Sequence, residues 1–141
     1  MKTLAVQDGD LVLGASGYAT TRGLSKTVQD LSVALRERFG VDRFHPKWGS
    51  GLDSLLGRPI DVLTRMRLES EARRVINNYM VVQREQAVTM MNRGIKVQQG
   101  EMVDSIVEVR VERYWTTWVK MTVVLRMMDG NAFTLDLSVE E

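Results

Sequence analysis

The last third of the chain, residues 106–140, reads IVEVRVERYWTTWVKMTVVLRMMDGNAFTLDLSVE. Three runs in this stretch alternate between apolar and polar residues, a period of two that is typical of strands with one buried face. The runs are Ile106 to Glu112, Trp118 to Met128 and Phe133 to Glu140. Short turns join them, and the second turn contains Asp129-Gly130, a favoured hairpin pair. The stretch therefore predicts a three-stranded antiparallel β-meander.

The alternation also predicts which side chains form the buried face of this sheet. The apolar set consists of Val107, Val109, Val111, Val119, Met121, Val123, Leu125, Met127, Phe133, Leu135, Leu137 and Val139. A sheet of three strands exposes at least one edge, and Phe133 to Glu141 is the expected edge strand. Such an edge can pair with another chain through its backbone groups.

A long helix is predicted upstream, from about Ile60 to Met91 or Asn92. Nothing inside this segment breaks a helix, and Gly94 follows it. One apolar stripe recurs at helical spacing and is expected to cover the sheet; it consists of Leu68, Ala72, Val75, Tyr79 and Val82. Helices first and a small sheet last predict an α+β fold.

Two shorter helical segments are predicted before the long helix. Ser25 or Thr27 can cap a helix that runs to Phe39, with Gly40 just past its end. Ser50 can cap a short helical turn that ends at Leu56. The loop between these two segments is rich in aromatic residues, so we expect it to be ordered.

Residues 1–23 are interrupted by four glycines, which predicts an extended arm or short hairpin. The remaining residues, 24–141, are expected to form a single α+β domain. The start of the chain lacks the apolar segment of a secretory signal, and no apolar run reaches the roughly 20 residues of a membrane span. We therefore expect an intracellular, soluble protein.

The composition offers little for catalysis or metal binding. Cysteine is absent, and His45 is the single histidine, which argues against disulfides, zinc sites and most nucleophilic arrangements. His45 lies beside a proline in the aromatic loop, where a packed or hydrogen-bonded role is expected. Lysine and arginine number 19 against 18 acidic residues, so no nucleic-acid-binding field is predicted. We expect no catalytic, cofactor or metal site.

Paired carboxylates are the one catalytic alternative, because acid chemistry on sugars needs only two. The candidates are Glu69, Glu71, Glu101 and Asp104. No flanking apolar pocket is evident that would raise the pKa of one of them. Trp115 and Trp118 flank the first hairpin turn and are expected at the sheet end or in an interface.

The order of these features resembles the gene-25-like baseplate wedge proteins of contractile phages, which are related to the TssE-type component of type VI secretion. That family has a Gly-Asp-containing arm, a helix with a Gln-Asp pair, an aromatic-Pro-x-aromatic-Gly-Ser loop and a Gly-x-Pro-like junction. The matching residues here are Gly9-Asp10-Leu11, Thr27-Val28-Gln29-Asp30-Leu31, Phe44-His45-Pro46-Lys47-Trp48-Gly49-Ser50-Gly51-Leu52 and Leu55-Leu56-Gly57-Arg58-Pro59. Many members also carry Glu-Pro-Arg before the first strand, whereas this chain has Glu101-Met102-Val103.

The resemblance implies a structural component of the virion tail baseplate, assembled in the host cytoplasm. Its partners would be other wedge subunits and the tail sheath protein, with the tail tube or hub as a further option, and neither nucleic acid nor membrane. It would template the first sheath ring by β-strand pairing. The candidate partner-binding residues are Glu101, Pro46, Trp48, Gly49, Ser50, Leu52, Trp115, Trp118, Phe133, Leu135, Leu137 and Val139.

Two alternatives remain open. A small hydrolase of cell-wall glycan would need two carboxylates roughly 5–10 Å apart in a cleft. A regulatory or nucleic-acid-binding module would need a clustered basic face and would show steep salt dependence of binding. The lysozyme label that some members of the family carry gains no support from these residues.

Overall fold

Helices precede a C-terminal sheet, as the sequence predicts, and short strands precede the helices. The computed structural model describes residues 2–7, 10–55, 61–114 and 118–140. In chain order the elements are β1 Lys2–Leu4, β2 Val6–Gln7, β3 Asp10–Leu11, β4 Leu13–Gly14, β5 Gly17–Tyr18, β6 Thr20–Arg22, α1 Leu24–Arg36, α2 Leu52–Leu55, α3 Val62–Asn92, a 3-10 turn Gln99–Glu101, β7 Val103–Tyr114, β8 Trp118–Met127 and β9 Ala132–Glu140. The predicted α+β class is confirmed.

The last three strands form an antiparallel sheet in the order β7-β8-β9. The β8–β9 register runs without interruption from Trp118 opposite Glu140 to Arg126 opposite Ala132. The β7–β8 pairing contains three register shifts, one of them between Ile106 and Glu108. The predicted meander is therefore confirmed, with a regular β8–β9 pair and an irregular β7–β8 pair.

Val107 does not belong to the buried face, contrary to the alternation in the sequence. The register shift places Ile106 opposite Leu125 and Glu108 opposite Val124, and Val107 between them is 52% exposed. Ile106 packs against the core in its place. An extra residue in one strand shifts the alternation by one position, and the sequence pattern alone does not mark where this happens.

The hydrophobic core lies between the sheet and the helices. β8 supplies an apolar row to this core, while α3 packs beside β7 and α1 beside β9. The fully buried large side chains include Leu31, Leu35, Leu52, Leu68, Ile76, Met121, Leu125, Leu137, Val103, Val111 and Val119. Each such aliphatic side chain contributes about 2 kcal/mol relative to an exposed one.

The long helix α3 spans 31 residues, and the prediction of its extent is confirmed to within two residues. Its N-cap is Asp61, whose carboxylate accepts a hydrogen bond from the Thr64 amide at 2.6 Å. The predicted stripe is buried at Leu68, Ala72, Val75 and Tyr79, with Val82 half-buried. The predicted start, Ile60, lies outside the described residues.

Helix α1 begins and ends earlier than predicted. Gly23 is its N-cap and makes no side-chain cap, so neither Ser25 nor Thr27 plays that role. At the other end the helix stops at Arg36, because the backbone of Glu37 turns extended to bond with the Ser50 strand segment. The Ser50 amide donates to the Glu37 carbonyl at 2.8 Å. Gly40 therefore lies in the following loop.

Residues 2–7 and 10–22 form a three-way β-junction. β1 pairs with β6, β2 with β3, and β4 with β5. A ring of backbone hydrogen bonds closes the centre: Ala5 donates to Ala19, Ala19 to Val12, and Val12 to Ala5, at 2.8, 2.8 and 3.0 Å. The short strands thus satisfy one another's backbone hydrogen-bonding groups, although each strand alone would be too short to be stable.

Within the described ranges, no helix has the length and apolar character that crossing a lipid bilayer requires.

Candidate interaction surfaces

The Gly49-Ser50-Gly51-Leu52 segment is held inside the fold. Gly49 has φ 93°, and a Cβ there would lie 2.6 Å from the Arg38 carbonyl oxygen, so glycine is required on both counts. The Ser50 hydroxyl donates to the Leu35 carbonyl at 2.6 Å, and the Leu52 side chain is fully buried. These three predicted partner-binding residues therefore have an internal role, which is to dock the loop on the end of α1.

A carboxylate–guanidinium pair on α3 secures the same loop from the other side. Glu71 Oε1 accepts from the Gly51 amide at 2.7 Å, while Arg74 contacts both Glu71 oxygens at 2.6 and 2.9 Å. Arg74 also donates to the Gly49 carbonyl and lies over the Phe39 ring, 5.1 Å from its centroid. Hydrogen bonds from Arg74 hold the pKa of Glu71 below its ordinary value.

The pair borders an open groove of about 760 Å³, whose lining also includes Arg38, Asp53 and Arg67. Arg38 forms an ion pair with Asp53 at 2.9 Å. Both carboxylates that line this groove are thus bound to arginines. For Glu71, whose pKa is lowered, the arrangement favours the ionised form and not a proton donor.

The aromatic loop presents part of itself to solvent. Trp48 turns inward, with its ring edge-on to Tyr79 at a centroid separation of 6.4 Å. Pro46 is exposed, and Phe44 is 86% exposed. Asp42 fixes the loop, since its carboxylate accepts from the Phe44 amide and pairs with the His45 ring at 2.8 Å. His45 is therefore an exposed loop residue paired with Asp42, and this pairing lowers the pKa of Asp42.

Glu101 lies at the 3-10 turn just before β7, and it is only 3% exposed. Its carbonyl oxygen accepts from the Thr27 hydroxyl at 2.6 Å and from the Gln83 amide at 2.7 Å. The structure thus places the predicted docking residue inside the protein, at the point where α1, α3 and the sheet meet.

Gln83 is an important residue that the sequence reasoning missed. Its side chain is fully enclosed, donates to the Glu101 carbonyl, and accepts from the Val103 amide at 2.9 Å. The available signal was a polar residue in line with the buried stripe of α3, four residues after Tyr79. The amide positions the start of β7 against the helix.

The carboxylates considered for sugar chemistry lie in different surroundings. Glu69 and Glu71 are two positions apart on α3 and so point to different faces. Glu101 is buried, while Asp104 is exposed at the start of β7. Among the residues described, no group of three or more acidic or histidine side chains could hold a metal ion.

The outer strand β9 offers a regular edge, open in the sense that no further strand among the described residues pairs with it. It pairs on one side with β8 and is last in the sheet order. Leu135 and Leu137 are buried and Phe133 is half-buried on the core face. Trp118, the first residue of β8, is half-buried. Trp115 and the Val139 side chain lie outside what the structure describes.

No protein-family model matches this sequence, and no curated protein matches it. Among solved structures, the chain is similar to a candidate tail lysozyme from Geobacter sulfurreducens, with a TM-score of 0.57 and 12% sequence identity. The match covers 93% of this chain and 96% of that chain. The two proteins therefore share a fold over nearly their whole lengths.

Proposed function

We propose that this protein is a non-enzymatic structural component of a contractile-tail baseplate wedge, and that it binds its neighbours by β-strand pairing at β9. The observation that carries the proposal is the open, regular edge of β9 on a fold shared with a protein assigned to a tail. The order of sequence motifs supports the wedge assignment, with wedge subunits and the tail sheath as partners.

The β9 edge defines what a partner strand must look like. About half of its nine residues direct their N–H and C=O groups away from β8 and can bond to an added strand. On the core face, an incoming side chain would lie beside Phe133 and Leu135 and would have to be apolar. On the outer face it would lie near Asp136, where a lysine or arginine is favoured.

A glycan hydrolase is the competing function, because the similar structure is described as a candidate tail lysozyme. The groove beside α3 does not favour a hydrolase, since Glu71 and Asp53 both form ion pairs with arginines and the pKa of Glu71 is lowered. A retaining or inverting glycosidase needs one carboxyl group that stays protonated. The geometry therefore favours a structural role.

Site-specific crosslinking tests the proposal, and the absence of cysteine makes it direct. Thr134→Cys and Ser138→Cys place a single thiol on β9, while Glu108→Cys places one on β7. Each variant is labelled with a photoreactive maleimide and illuminated in lysate containing the complete tail gene set. We expect the β9 variants to crosslink to sheath or wedge subunits, identified by mass spectrometry, and the β7 variant to remain free of them.

Equal crosslinking from β7 and β9 would contradict strand pairing at β9 while keeping the tail assignment. Crosslinking to no tail protein would remove the baseplate assignment itself. Turnover of purified peptidoglycan that is lost in Glu71→Gln and Asp53→Asn variants would instead establish the hydrolase.

A further inference from the structure

The sheet has two outer strands, β7 and β9, and both would in principle attract an added strand. A subunit with one open edge can form only a closed pair. A subunit with two open edges can add neighbours on both sides and build an open-ended array. Whether the β7 edge is accessible to an added strand therefore decides how this protein associates.

Glu69 of α3 occupies the β7 edge near the end of the strand. Its Oε1 atom accepts a hydrogen bond from the Val111 amide at 3.2 Å, so this N–H points away from β8 and towards the helix. Arg65, one turn earlier on α3, lies 3.4 Å from the same oxygen and holds the carboxylate in place. A backbone donor that would bind an incoming strand is thus already used.

Arg84 occupies the same edge near the start of the strand. Its guanidinium donates to the carbonyl oxygen of Asp104 at 3.2 Å. Arg84 and Glu69 are fifteen positions apart on α3, close to four helical turns, so they project from similar faces of the helix. The helix therefore blocks one donor and one acceptor of β7, at the two ends of the strand.

The backbone of β7 reinforces this effect. Its three register shifts against β8 interrupt the even spacing of the edge groups, and bulged edges resist the addition of a strand. β9 has no such shift in its pairing with β8 over the described residues. Within those residues, no side chain hydrogen-bonds to the β9 backbone.

We propose that Glu69 and Arg84 are edge-selecting residues, which close β7 so that a partner strand adds only at β9. This inference rests on the proposed function in one respect, which is that β9 is the strand that pairs with a partner. It predicts, independently of any tail protein, that purified chains associate no further than a β9-to-β9 pair. Removing both side chains should open β7 and permit β7-to-β9 pairing without end.

Sedimentation velocity over a concentration series tests this proposal. We expect the unaltered protein to remain monomeric or dimeric, and the Glu69→Ala/Arg84→Ala variant to form species larger than dimers that grow with concentration. Arg73→Ala/Glu85→Ala is the matched control, since it removes one charge of each sign from exposed positions of the same helix. Glu69→Gln/Arg84→Lys keeps an acceptor and a donor and should behave like the unaltered protein.

Hydrogen exchange provides a second measurement that does not depend on a variant folding. In the unaltered protein, at a concentration where sedimentation shows a monomer, the Val111 amide should exchange at least about tenfold more slowly than the outward amides of β9, after correction for intrinsic rates. Equal exchange would overturn the proposal, as would a double-alanine variant that grows no larger than a dimer or an unaltered protein that polymerises. The assay uses only this chain, so a failed crosslink to tail proteins would leave its result interpretable.

Discussion

Single residues in the loop after α1 show that a family-like motif can serve the fold of its own chain. Gly49, Ser50 and Leu52 stand out in the sequence, and their pattern suggested a binding surface. In the structure each of them has a local role. Gly49 has a positive φ and lies against the Arg38 carbonyl, and the Ser50 hydroxyl donates to the Leu35 carbonyl. The Leu52 side chain is fully buried. The fold itself therefore accounts for these residues in this segment.

The Glu71–Arg74 pair leads to a prediction about pH. The folded-state pKa of Glu71 is lowered below its ordinary value of about 4.3, so the stabilisation is complete above that pH. It is lost as the pH falls from about 4.3 through the folded-state pKa. The free energy of unfolding should therefore exceed that of Glu71→Gln at pH 7, and the gap should narrow between about pH 5 and pH 3.

Urea unfolding followed by tryptophan fluorescence at each pH measures this gap. Asp42 and Asp61 also have lowered pKa values, but both proteins carry them, so their contributions cancel in the comparison. Glu85→Gln, at an exposed position of the same helix, serves as the control and should follow the unaltered protein. A gap that stays constant down to pH 3 would show that the pair does not couple to folding.

At the scale of elements, the β7 strand shows that alternation in the sequence predicts the strand, whereas its pairing with β8 decides which of its side chains are buried. The strand exists and runs antiparallel to β8, as its period of two indicates. Its register shift sends Val107 to solvent and brings Ile106 to the core. Val109 and Val111, beyond the shift, remain on the buried face.

Matched substitutions test this element. Val109→Thr places a hydroxyl in the core and should lower the free energy of unfolding by about 1–2 kcal/mol. Val107→Thr makes the same chemical change at the exposed position and should cost about 0.5 kcal/mol or less. Chemical denaturation of both variants gives the comparison. Equal costs would mean that the two valines share a face, as simple alternation implies.

At the scale of the whole molecule, one side chain links the N-terminal junction to the helical body. Gln29 of α1 accepts from the Val6 amide at 2.9 Å and donates to the Leu4 carbonyl at 2.8 Å. Its amide thus takes the place that a neighbouring strand would have. This gives a structural reason for glutamine in the Gln29-Asp30 pair, while Asp30 accepts from the Tyr79 hydroxyl at 3.1 Å.

Replacing Gln29 with alanine should loosen the junction without unfolding the body. We expect proteolytic cleavage within residues 1–23 to accelerate several-fold, while the melting temperature of the body changes by no more than about 4 °C. Limited proteolysis read by mass spectrometry, with circular dichroism alongside, checks both outcomes. Gln86→Ala, at an exposed site on α3, is the control. Unchanged cleavage would show that other contacts hold the junction.

The sequence by itself determined the two main helices, the three C-terminal strands and their order, because the periods of 2 and 3.6 arise from contacts that each segment repeats along its own length. Only the tertiary structure decided which polar groups are buried, where the register shifts, and which side chains of α3 contact the β7 edge. These features depend on pairs far apart in the chain, such as Gln83 with Val103 and Glu69 with Val111. Whether a side chain meets such a partner depends on how the helix lies across the sheet, and no local pattern records that placement.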